Sequence, residues 1–284
     1  MDQTFSGDES RGMERFNLHN KTVVITGGGG LLGLQHGMAM AEVGANVVLW
    51  DINKARLEQV AEEIKAEYAS EVVTATVDIT DDGAIQAAVT DLISRFGRIS
   101  VLVNNAANDP KMTAEGGVNL SRLENFPIEV WQQDITVGLT GAFLCARAIG
   151  THMAEAGGGV IINIASDLGL IAPDQRLYRK AGLPEDQQPV KPVTYSVVKS
   201  GLIGMTRYLA TYWADKGVRC NALAPGGIRT DQPEEFIDKL AGLIPMGRMA
   251  EREEYRGAVQ FLASEASSYM NGSVLSMDGG RTCW

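Results

Sequence analysis

The sequence predicts a single-domain α/β fold in which a doubly wound parallel sheet of about seven strands carries helices on both faces. Three observations support this prediction. Short apolar runs alternate with helical patterns from residue 21 onwards. The runs are continuously apolar, as is typical of strands that are buried on both faces. A glycine-rich turn also follows the first run directly and opens into a helical pattern.

The predicted strands are the apolar runs that lie between helical stretches. They are TVVIT (22–26), NVVLW (46–50), VVTATV (72–77), ISVLVNN (99–105), GVIINIA (159–165), RCNALA (219–224) and SVLSM (273–277). Helices are predicted at 31–44, 53–68, 81–96, 129–155, 194–215 and 250–263. This alternation predicts right-handed βαβ units, because parallel neighbours need a crossover connection.

The chain is expected to form one domain over residues 20–284, since no linker or repeat interrupts the alternation. Residues 1–19 are polar and mixed in charge and are expected to form a tail. The stretch 170–193 contains four prolines and no apolar period, which predicts a long inserted loop. Two interpretations of this loop stay open. It is either a solvated surface loop or a lid whose cations meet an acidic or phosphorylated polar substrate.

Composition and charge limit the possible partners. The chain has 284 residues and a net charge of −10, which argues against a nucleic acid or an anionic membrane as partner. Its three cysteines lack metal-ligand spacing, so no metal is expected. The first nineteen residues contain no apolar signal-peptide core, and no run approaches the ~18–20 apolar residues that span a bilayer. We therefore expect a cytoplasmic protein with a small-molecule substrate.

The stretch TGGGGLLG (26–33) carries the first functional signal. Its glycines fit G-x-x-G-x-x-G, whereas the spacing G-x-x-x-G-x-G would need a glycine where Leu31 stands. A glycine turn between a strand and a helix lets a pyrophosphate approach backbone N–H groups and the positive end of the helix. An ordinary glycine turn is the alternative.

Asp51 ends the second predicted strand, 24 residues after Gly27. A carboxylate at this place would accept hydrogen bonds from the adenosine ribose hydroxyls and repel a 2′-phosphate. The alternative is an Asp that only caps a helix. With the glycine turn, Asp51 predicts a Rossmann-type dinucleotide site that prefers NAD to NADP, although Lys54 and Arg56 lie close by in sequence.

The stretch YSVVK (195–199) carries the second signal. Tyr195 and Lys199 are four residues apart and share one helix face. A nearby ammonium group favours phenolate, so the pKa of Tyr195 is expected to fall towards the range useful for general acid/base catalysis. Ser166 follows a predicted strand, at the edge where open α/β sheets bind ligands. A surface pair and a turn or capping serine are the alternatives.

Taken together, these motifs resemble those of the classical short-chain dehydrogenases/reductases, from about residue 20 to residue 284. The resemblance extends to VDIT (77–80), NNAA (104–107), NALAPGGIRT (221–230) and MDGG (277–280). It implies an NAD(P)-dependent oxidoreductase that interconverts a secondary alcohol and a ketone by hydride transfer. Tyr195 would exchange a proton with the substrate oxygen, Lys199 would lower the pKa of Tyr195 and hold the nicotinamide ribose, and Ser166 would hydrogen-bond the reacting oxygen.

The resemblance also implies a set of cofactor-binding residues, drawn from the glycine turn, the strand ends and the segment after the sixth strand. They are Gly27, Gly29, Gly30, Leu31, Leu32, Gly33, Asp51, Ile52, Asp78, Ile79, Asn105, Ala106, Tyr195, Lys199, Pro225, Gly226, Ile228 and Thr230. The chain departs from the family pattern at Leu31 and Ala107. It also has Gly138 where the family has the Asn that supports a proton-relay water. Because that support comes largely through the backbone carbonyl, Asn at position 138 is expected to be tolerated.

Two alternative functions remain at this stage. A sugar-nucleotide epimerase or dehydratase also uses NAD and Y-x-x-x-K, but it normally has a substrate domain for which this chain is too short. A non-catalytic NAD-binding regulatory protein is suggested by Gly138 alone. The family resemblance implies a homo-oligomer, a tetramer or dimer, formed through 129–155 and 194–215. The combination GGLLG, VGLTGAF and APDQRLY also resembles oxidoreductases of bacterial surface-sugar or flagellin-glycan modification.

Overall fold

A seven-stranded parallel sheet forms the centre of the protein. The computed structural model describes residues 13–108, 114–115 and 118–284. In chain order the strands are β1 (Thr22–Thr26), β2 (Asn46–Asp51), β3 (Val72–Thr76), β4 (Val101–Asn104), β5 (Ala114–Glu115), β6 (Val118–Asn119), β7 (Gly159–Ile164), β8 (Val218–Pro225) and β9 (Val274–Met277). The sheet order is β3-β2-β1-β4-β7-β8-β9, which confirms the predicted fold class, while β5 and β6 pair separately as an unpredicted antiparallel hairpin.

Helices connect the parallel strands. They are α1 (Leu31–Glu42), α2 (Lys54–Glu67), α3 (Asp82–Phe96), α4 (Ile128–Ile135), α5 (Gly141–Glu155), α6 (Val193–Tyr212), α7 (Glu234–Ala241) and α8 (Arg256–Ala263). Asn53 and Asp81 cap α2 and α3, because each side chain accepts a hydrogen bond from the N–H three residues later. The helix predicted over 129–155 is interrupted by a π-helical turn at Thr136–Thr140, and α7 was not predicted.

The apolar core lies on both faces of the sheet. Ile25 and Leu49 belong to the cluster that packs under α1, α2 and α8, whereas their neighbours Val24 and Trp50 belong to the cluster under α3, α5 and α6. Successive side chains of a strand point to opposite faces, so both sets are apolar only if both faces are covered. This arrangement explains the continuous apolar runs in the sequence.

A buried polar network fixes α6 to the centre of the sheet. The Asn104 side-chain amide on β4 donates to the Asn163 side-chain oxygen on β7 over 2.9 Å. The Asn163 amide in turn donates to the Thr206 hydroxyl on α6 over 2.8 Å, and Thr206 donates to the Leu202 carbonyl. Hydrogen bonds between side chains in a dry interior fix geometry closely, because an unpaired partner would cost free energy.

The loop at 170–193 is docked on the protein. Leu177 is buried against Ile237 and Leu240 of α7. The buried Gln188 side chain accepts from the Lys180 N–H and donates to the carbonyls of Lys180 and Leu183. Residues 170–192 contain only short 3₁₀ turns, at Gln175–Tyr178 and Glu185–Gln187. The solvated interpretation is wrong for Leu177 and Gln188, although the tip at 180–186 is exposed.

No helix in the described ranges is both long and apolar enough to cross a bilayer.

One polar residue in the core, His36, affects the pH dependence of stability. His36 on α1 has no exposed surface, and the described part of the chain offers neither ring nitrogen a hydrogen-bond partner. Burial lowers the pKa of His36 to about 4 from an ordinary value of 6.5, because the charged ring would be desolvated.

We expect the free energy of unfolding to fall as the pH is lowered from about 6.5 towards 4. In this window the unfolded chain binds a proton at His36 that the folded protein excludes, and the difference in pKa is worth about 3 kcal/mol. Urea titrations across this range measure the effect. His36→Met should remove this part of the pH dependence, whereas His152→Gln should retain it. An unchanged pH profile in His36→Met would contradict the expectation.

Candidate active site

A cleft of about 530 Å³ lies at the carboxyl edge of the sheet. Open parallel sheets bind their ligands at this edge, where the strand order reverses. The structure brings most of the predicted site residues together here. Those that line the cleft are Gly27, Gly30, Leu31, Leu32, Asp51, Asn105, Ala106, Ser166, Tyr195, Lys199, Pro225, Gly226, Ile228 and Thr230.

The glycine turn allows three backbone segments to meet closely. Gly27 has a positive φ of 63°, and a Cβ added there would lie 2.8 Å from the Ala106 Cα after β4. A Cβ on Gly33 would overlap the Gly27 carbonyl oxygen, so α1 could not approach the turn. Leu31 is the first residue of α1 and has no positive φ, so this departure from the family spacing is accommodated without strain.

The turn is tied to the end of β4 by hydrogen bonds. The Thr26 hydroxyl accepts the N–H groups of Asn105 and Ala106, each over 3.1 Å. The Asn105 side-chain amide donates to the carbonyls of Thr26 and Gly27 over 3.0 and 3.1 Å. Gly30 at the N-cap of α1 has no capping side chain, so the first N–H groups of the helix are left for an anion at the cleft. This cradle fits the pyrophosphate of a dinucleotide.

Asp51 lines the cleft beside the glycine turn and is held in place by backbone groups. Its carboxylate accepts the Gly29 N–H over 3.0 Å and the Asn53 N–H over 2.9 Å. Arg56 lies beside it, with its guanidinium Nε donating to the Gly29 carbonyl over 3.3 Å. The structure therefore places one fixed carboxylate and one cation next to each other at the glycine turn.

Some predicted cofactor residues lie outside the lining of the cleft. The Gly29 N–H donates to the Asp51 carboxylate, and Gly33 is buried against Gly27 and Gly28 of the turn. The Asp78 carboxylate accepts the hydroxyl and N–H of Thr80, which lowers the pKa of Asp78. The predicted residues that the cleft lining lacks are Gly29, Gly33, Ile52, Asp78 and Ile79.

Tyr195 and Lys199 lie one turn apart on α6 and face the cleft. Lys199 is buried, and its ammonium group donates to the Ile164 carbonyl at the end of β7 over 2.8 Å. The same ammonium lies 5.7 Å from the centre of the Tyr195 ring. The last residue of β7 therefore fixes the cation beside the phenol.

Ser166 follows β7 and is part of a buried chain of polar contacts. Its hydroxyl donates to the Asp167 carboxylate over 2.8 Å and accepts the Leu168 N–H over 3.2 Å. The other carboxylate oxygen of Asp167 accepts from Arg281 over 2.7 Å, and both side chains of this ion pair are buried. Sequence analysis missed both residues. Asp167 could have been found from its position next to Ser166. Arg281 is 114 residues away from Asp167, and nothing in the sequence pattern pointed to it.

The docked loop adds further residues to the cleft. The Lys191 ammonium lies 3.8 Å from the centre of the Tyr195 ring, and the Lys191 N–H donates to the Gln175 side chain over 2.9 Å. Tyr178 of the loop and Phe236 of α7 also line the cleft, with ring centres 5.7 Å apart. Phe236 was not predicted, because α7 itself was not predicted.

Gly138 lies in the π-helical turn, next to a small cavity behind Tyr195. The cavity measures about 20 Å³, the space of one water molecule, and is also lined by Asp134 and Lys199. The buried Asp134 carboxylate accepts from the Thr194 hydroxyl over 2.5 Å. A Cβ on Gly138 would lie 2.6 Å from Val198 Cγ1 on α6. Any side chain at position 138 must therefore displace Val198, and the tolerance of Asn there stays a prediction.

We expect Gly138→Ala to destabilise the protein by about 1–3 kcal/mol, because the added methyl overpacks the contact with Val198. Val198→Ala should cost a similar amount through lost burial. The double variant should be more stable than the sum of the two changes by at least about 1 kcal/mol. Urea unfolding measures all three variants.

Gly204→Ala is the matched control for this cycle. Gly204 is a helical glycine on α6 whose added Cβ would meet nothing within 4 Å, so alanine there should be neutral or stabilising. Additive effects of Gly138→Ala and Val198→Ala would show that the close contact with Val198 does not explain the glycine.

The acidic, histidine and cysteine side chains of the described ranges are the candidates for metal ligands. Within the described ranges, no three or more of them are grouped so as to hold a metal ion. Cys145 and Cys220 are buried, which raises the pKa of each thiol to about 12. Neither buried cysteine borders the cleft.

Comparison with known proteins agrees with this geometry. A family model described as short chain dehydrogenase matches residues 21–178, and one described as Enoyl-(Acyl carrier protein) reductase matches residues 185–282. The chain is 32% identical to a D-threitol dehydrogenase of Mycolicibacterium smegmatis, with 94% of this chain and 95% of the relative covered. It is 33% identical to a galactitol 2-dehydrogenase (L-tagatose-forming) of Cereibacter sphaeroides, with 95% and 98% covered.

Solved structures show the same similarity. A gluconate 5-dehydrogenase from Burkholderia cenocepacia, in complex with NADP and tartrate, superposes with a TM-score of 0.82 at 30% identity, with 96% of this chain and 99% of that chain covered. An NAD+-bound xylitol dehydrogenase superposes with a TM-score of 0.81 at 25% identity, with 93% and 99% covered.

Proposed function

Because the chain belongs to the short-chain dehydrogenase/reductase family, we propose that Ser166, Tyr195 and Lys199 are its catalytic residues and that its substrate is a small polyhydroxy compound. As a member of this family, the protein is an oxidoreductase that interconverts a secondary alcohol and a ketone with a nicotinamide cofactor. One observation carries the proposal. The three side chains line one cleft together with the glycine turn and Asp51.

The nicotinamide ring, when bound, accepts or gives up the hydride. Tyr195 takes the proton from the substrate hydroxyl as the alcohol is oxidised and returns it in the reverse direction. Lys199, fixed by the Ile164 carbonyl, favours the phenolate form of Tyr195. The Ser166 hydroxyl donates to Asp167 in the structure, and beside a bound substrate it would hydrogen-bond the reacting oxygen.

The cofactor would lie along the cleft, with its pyrophosphate at the first turn of α1 and its adenosine ribose at Asp51. We propose NAD as the preferred form, because the Asp51 carboxylate would repel a 2′-phosphate. Arg56 lies beside Asp51, and its positive charge would reduce the difference in affinity between NAD and NADP. The related structures hold NADP in one case and NAD+ in another, so the proposal depends on Asp51.

The proposed substrate class follows from the relatives and from the cleft. The related enzymes are named for threitol, galactitol, xylitol and gluconate, all chains of neighbouring hydroxyl groups. In this chain, Tyr178 and Lys191 add polar groups to the lining that contains Ser166, and Phe236 and Leu240 add apolar surface to it. A sugar of a surface glycan would belong to the same class.

We also propose a homo-oligomer, a tetramer or dimer, in the cytoplasm. The helices expected to mediate it, α5 and α6, expose large apolar or aromatic side chains. These are Phe143, Val197, Tyr208 and Tyr212. Exposed groups of this kind on neighbouring helices are typical of protein–protein contacts. Residues 20–284 are proposed as the single domain that repeats in the assembly.

We expect the wild-type protein to bind NAD(H) more tightly than NADP(H). Asp51→Ala should weaken NAD(H) binding by about 10- to 150-fold, since a hydrogen bond to a charged group is worth about 1.5–3 kcal/mol. Fluorescence titration with each cofactor measures this. Asp91→Ala, at an exposed position on α3, is the control and should bind both cofactors like the wild type. Tighter binding of NADP(H) by the wild type would refute the preference.

Tyr195→Phe tests the proposed reaction. The variant keeps the ring and its contacts but cannot exchange a proton, so kcat should fall by about 10²- to 10⁴-fold while NAD binding changes little. Oxidation of threitol, galactitol, xylitol and gluconate, followed by NADH fluorescence, gives the readout. Tyr269→Phe, at a fully exposed tyrosine outside the cleft lining, is the control. Turnover by Tyr195→Phe at the wild-type rate would exclude Tyr195 as the acid/base.

A further inference from the structure

Ser166 is held by a carboxylate that belongs to a buried ion pair. The Ser166 hydroxyl donates to Asp167 Oδ1 over 2.8 Å, and Asp167 Oδ2 accepts from the Arg281 guanidinium over 2.7 Å. The three residues are between 3% and 6% exposed, and all of them line the cleft. One carboxylate therefore connects a cation to the hydroxyl that is proposed to contact the reacting oxygen.

The turn after β9 fixes the backbone of Arg281. Gly279 and Gly280 have positive φ values of 64° and 90°, which side chains larger than glycine rarely adopt. The Asp278 carboxylate accepts the N–H groups of Gly280 and Thr282, each over 2.9 Å. The Asp278 carbonyl accepts the Arg281 N–H over 3.2 Å. The aspartate and the two glycines of this turn therefore set the position of the arginine.

The charge of Arg281 determines how tightly Asp167 holds the Ser166 hydroxyl. A buried carboxylate that lacks a cation binds the donors around it more strongly, because a charge in a dry interior is costly. The Leu168 N–H also donates to Asp167, over 2.8 Å, but this donor is neutral and leaves the charge in place. Among the described residues, Arg281 is the one that forms an ion pair with Asp167. With this pair in place, the hydroxyl can exchange Asp167 for a substrate oxygen at a lower cost.

We propose that Asp167 and Arg281 are positioning residues for Ser166. The carboxylate orients the hydroxyl, and the guanidinium compensates the carboxylate so that the hydroxyl is released to the reacting oxygen. This inference rests on the proposed function, in which Ser166 hydrogen-bonds that oxygen. Neither positioning residue needs to contact the substrate in this role. The effect of Arg281 on turnover must therefore pass through Ser166, and this property is what the experiment measures.

The test is a double-variant cycle of kcat on the full chain with NAD. The substrate is whichever of threitol, galactitol, xylitol and gluconate the wild type oxidises fastest. Arg281→Met should lower kcat by about 10- to 150-fold, the range for a lost hydrogen bond to a charged group, and leave NADH binding within about threefold. In the Ser166→Ala background, the same change should lower kcat by less than about threefold.

Three further variants separate positioning from folding. Arg281→Met combined with Asp167→Asn leaves no buried charge, so it should recover most of the kcat that Arg281→Met loses. Arg281→Lys keeps the charge and should retain more activity than Arg281→Met. Arg95→Met is the control. It breaks an exposed ion pair with Glu71 outside the cleft lining and should behave like the wild type.

Thermal unfolding gives a readout that does not depend on turnover. Ser166 and Arg281 bind opposite oxygens of the Asp167 carboxylate. Ser166→Ala should therefore lower the Tm more in the Arg281→Met background than in the wild type, because the hydroxyl is then needed by an uncompensated charge. In the Asp167→Asn background the two changes should be additive. If Arg281→Met does not fold, Arg281→Gln, which keeps a donor without the charge, takes its place in both cycles.

Two results would overturn the inference and leave the proposed function intact. The first is an equal fold-loss of kcat in Arg281→Met with and without Ser166, which would assign Arg281 to substrate contact or to folding alone. The second is a wild-type kcat in Arg281→Met. A Ser166→Ala variant with wild-type turnover would refute the proposed role of Ser166 and the inference with it. If the wild type oxidises none of the four compounds, the proposed substrate class fails, and additive changes in the Tm cycle would overturn the inference.

Discussion

The close approach of three backbone segments at the end of β1 is the constraint on which the cofactor end of the cleft depends. Gly27, Gly33 and Ala106 meet at distances that leave no room for a Cβ on either glycine. The contact directs the N-terminus of α1 towards the cleft and brings the end of β4 beside it. Thr26 and Asn105 then hold the two strand ends together by four hydrogen bonds. A larger residue at Gly33 would move the helix and with it the anion-binding N–H groups.

At the other end of the cleft, the positions of Tyr195 and Lys199 are set by the hydrogen bonds that fix α6. Thr194 on its first turn is bonded to Asp134, Lys199 to the Ile164 carbonyl, and Thr206 to Asn163. The proposed acid/base therefore sits on a helix that is anchored along its length. The loop that brings Lys191 is held by different contacts, through Leu177 and Gln188. The proposed acid/base and the loop that borders the cleft are thus held by separate sets of contacts, as is common when functional loops are mounted on a rigid scaffold.

The sheet could be predicted from sequence because its signals are local. Each predicted strand is present with ends within two residues of those expected. Short, largely apolar runs such as 46–50 and 159–165 are typical of parallel strands that are buried on both faces. Ser166, Tyr195 and Lys199 could be named from motifs and meet in one cleft. Gly138 was noticed, but its close contact with Val198 depends on how two helices pack, which periodicity does not record. The same limit applies to α7 and to the docking of the loop on it.

The buried pair of Asp167 and Arg281 joins the residue next to Ser166 to a segment that follows β9, the strand at one edge of the sheet. Edge segments open with less free energy than central strands, since they have neighbours on one side only. When the segment after β9 opens, Asp167 loses its partner and a buried carboxylate is left uncompensated beside Ser166, a state that costs several kcal/mol. Local unfolding at one sheet edge therefore changes the contacts of Ser166. We therefore expect catalysis to be lost in mild denaturant while the central strands are still protected from hydrogen exchange.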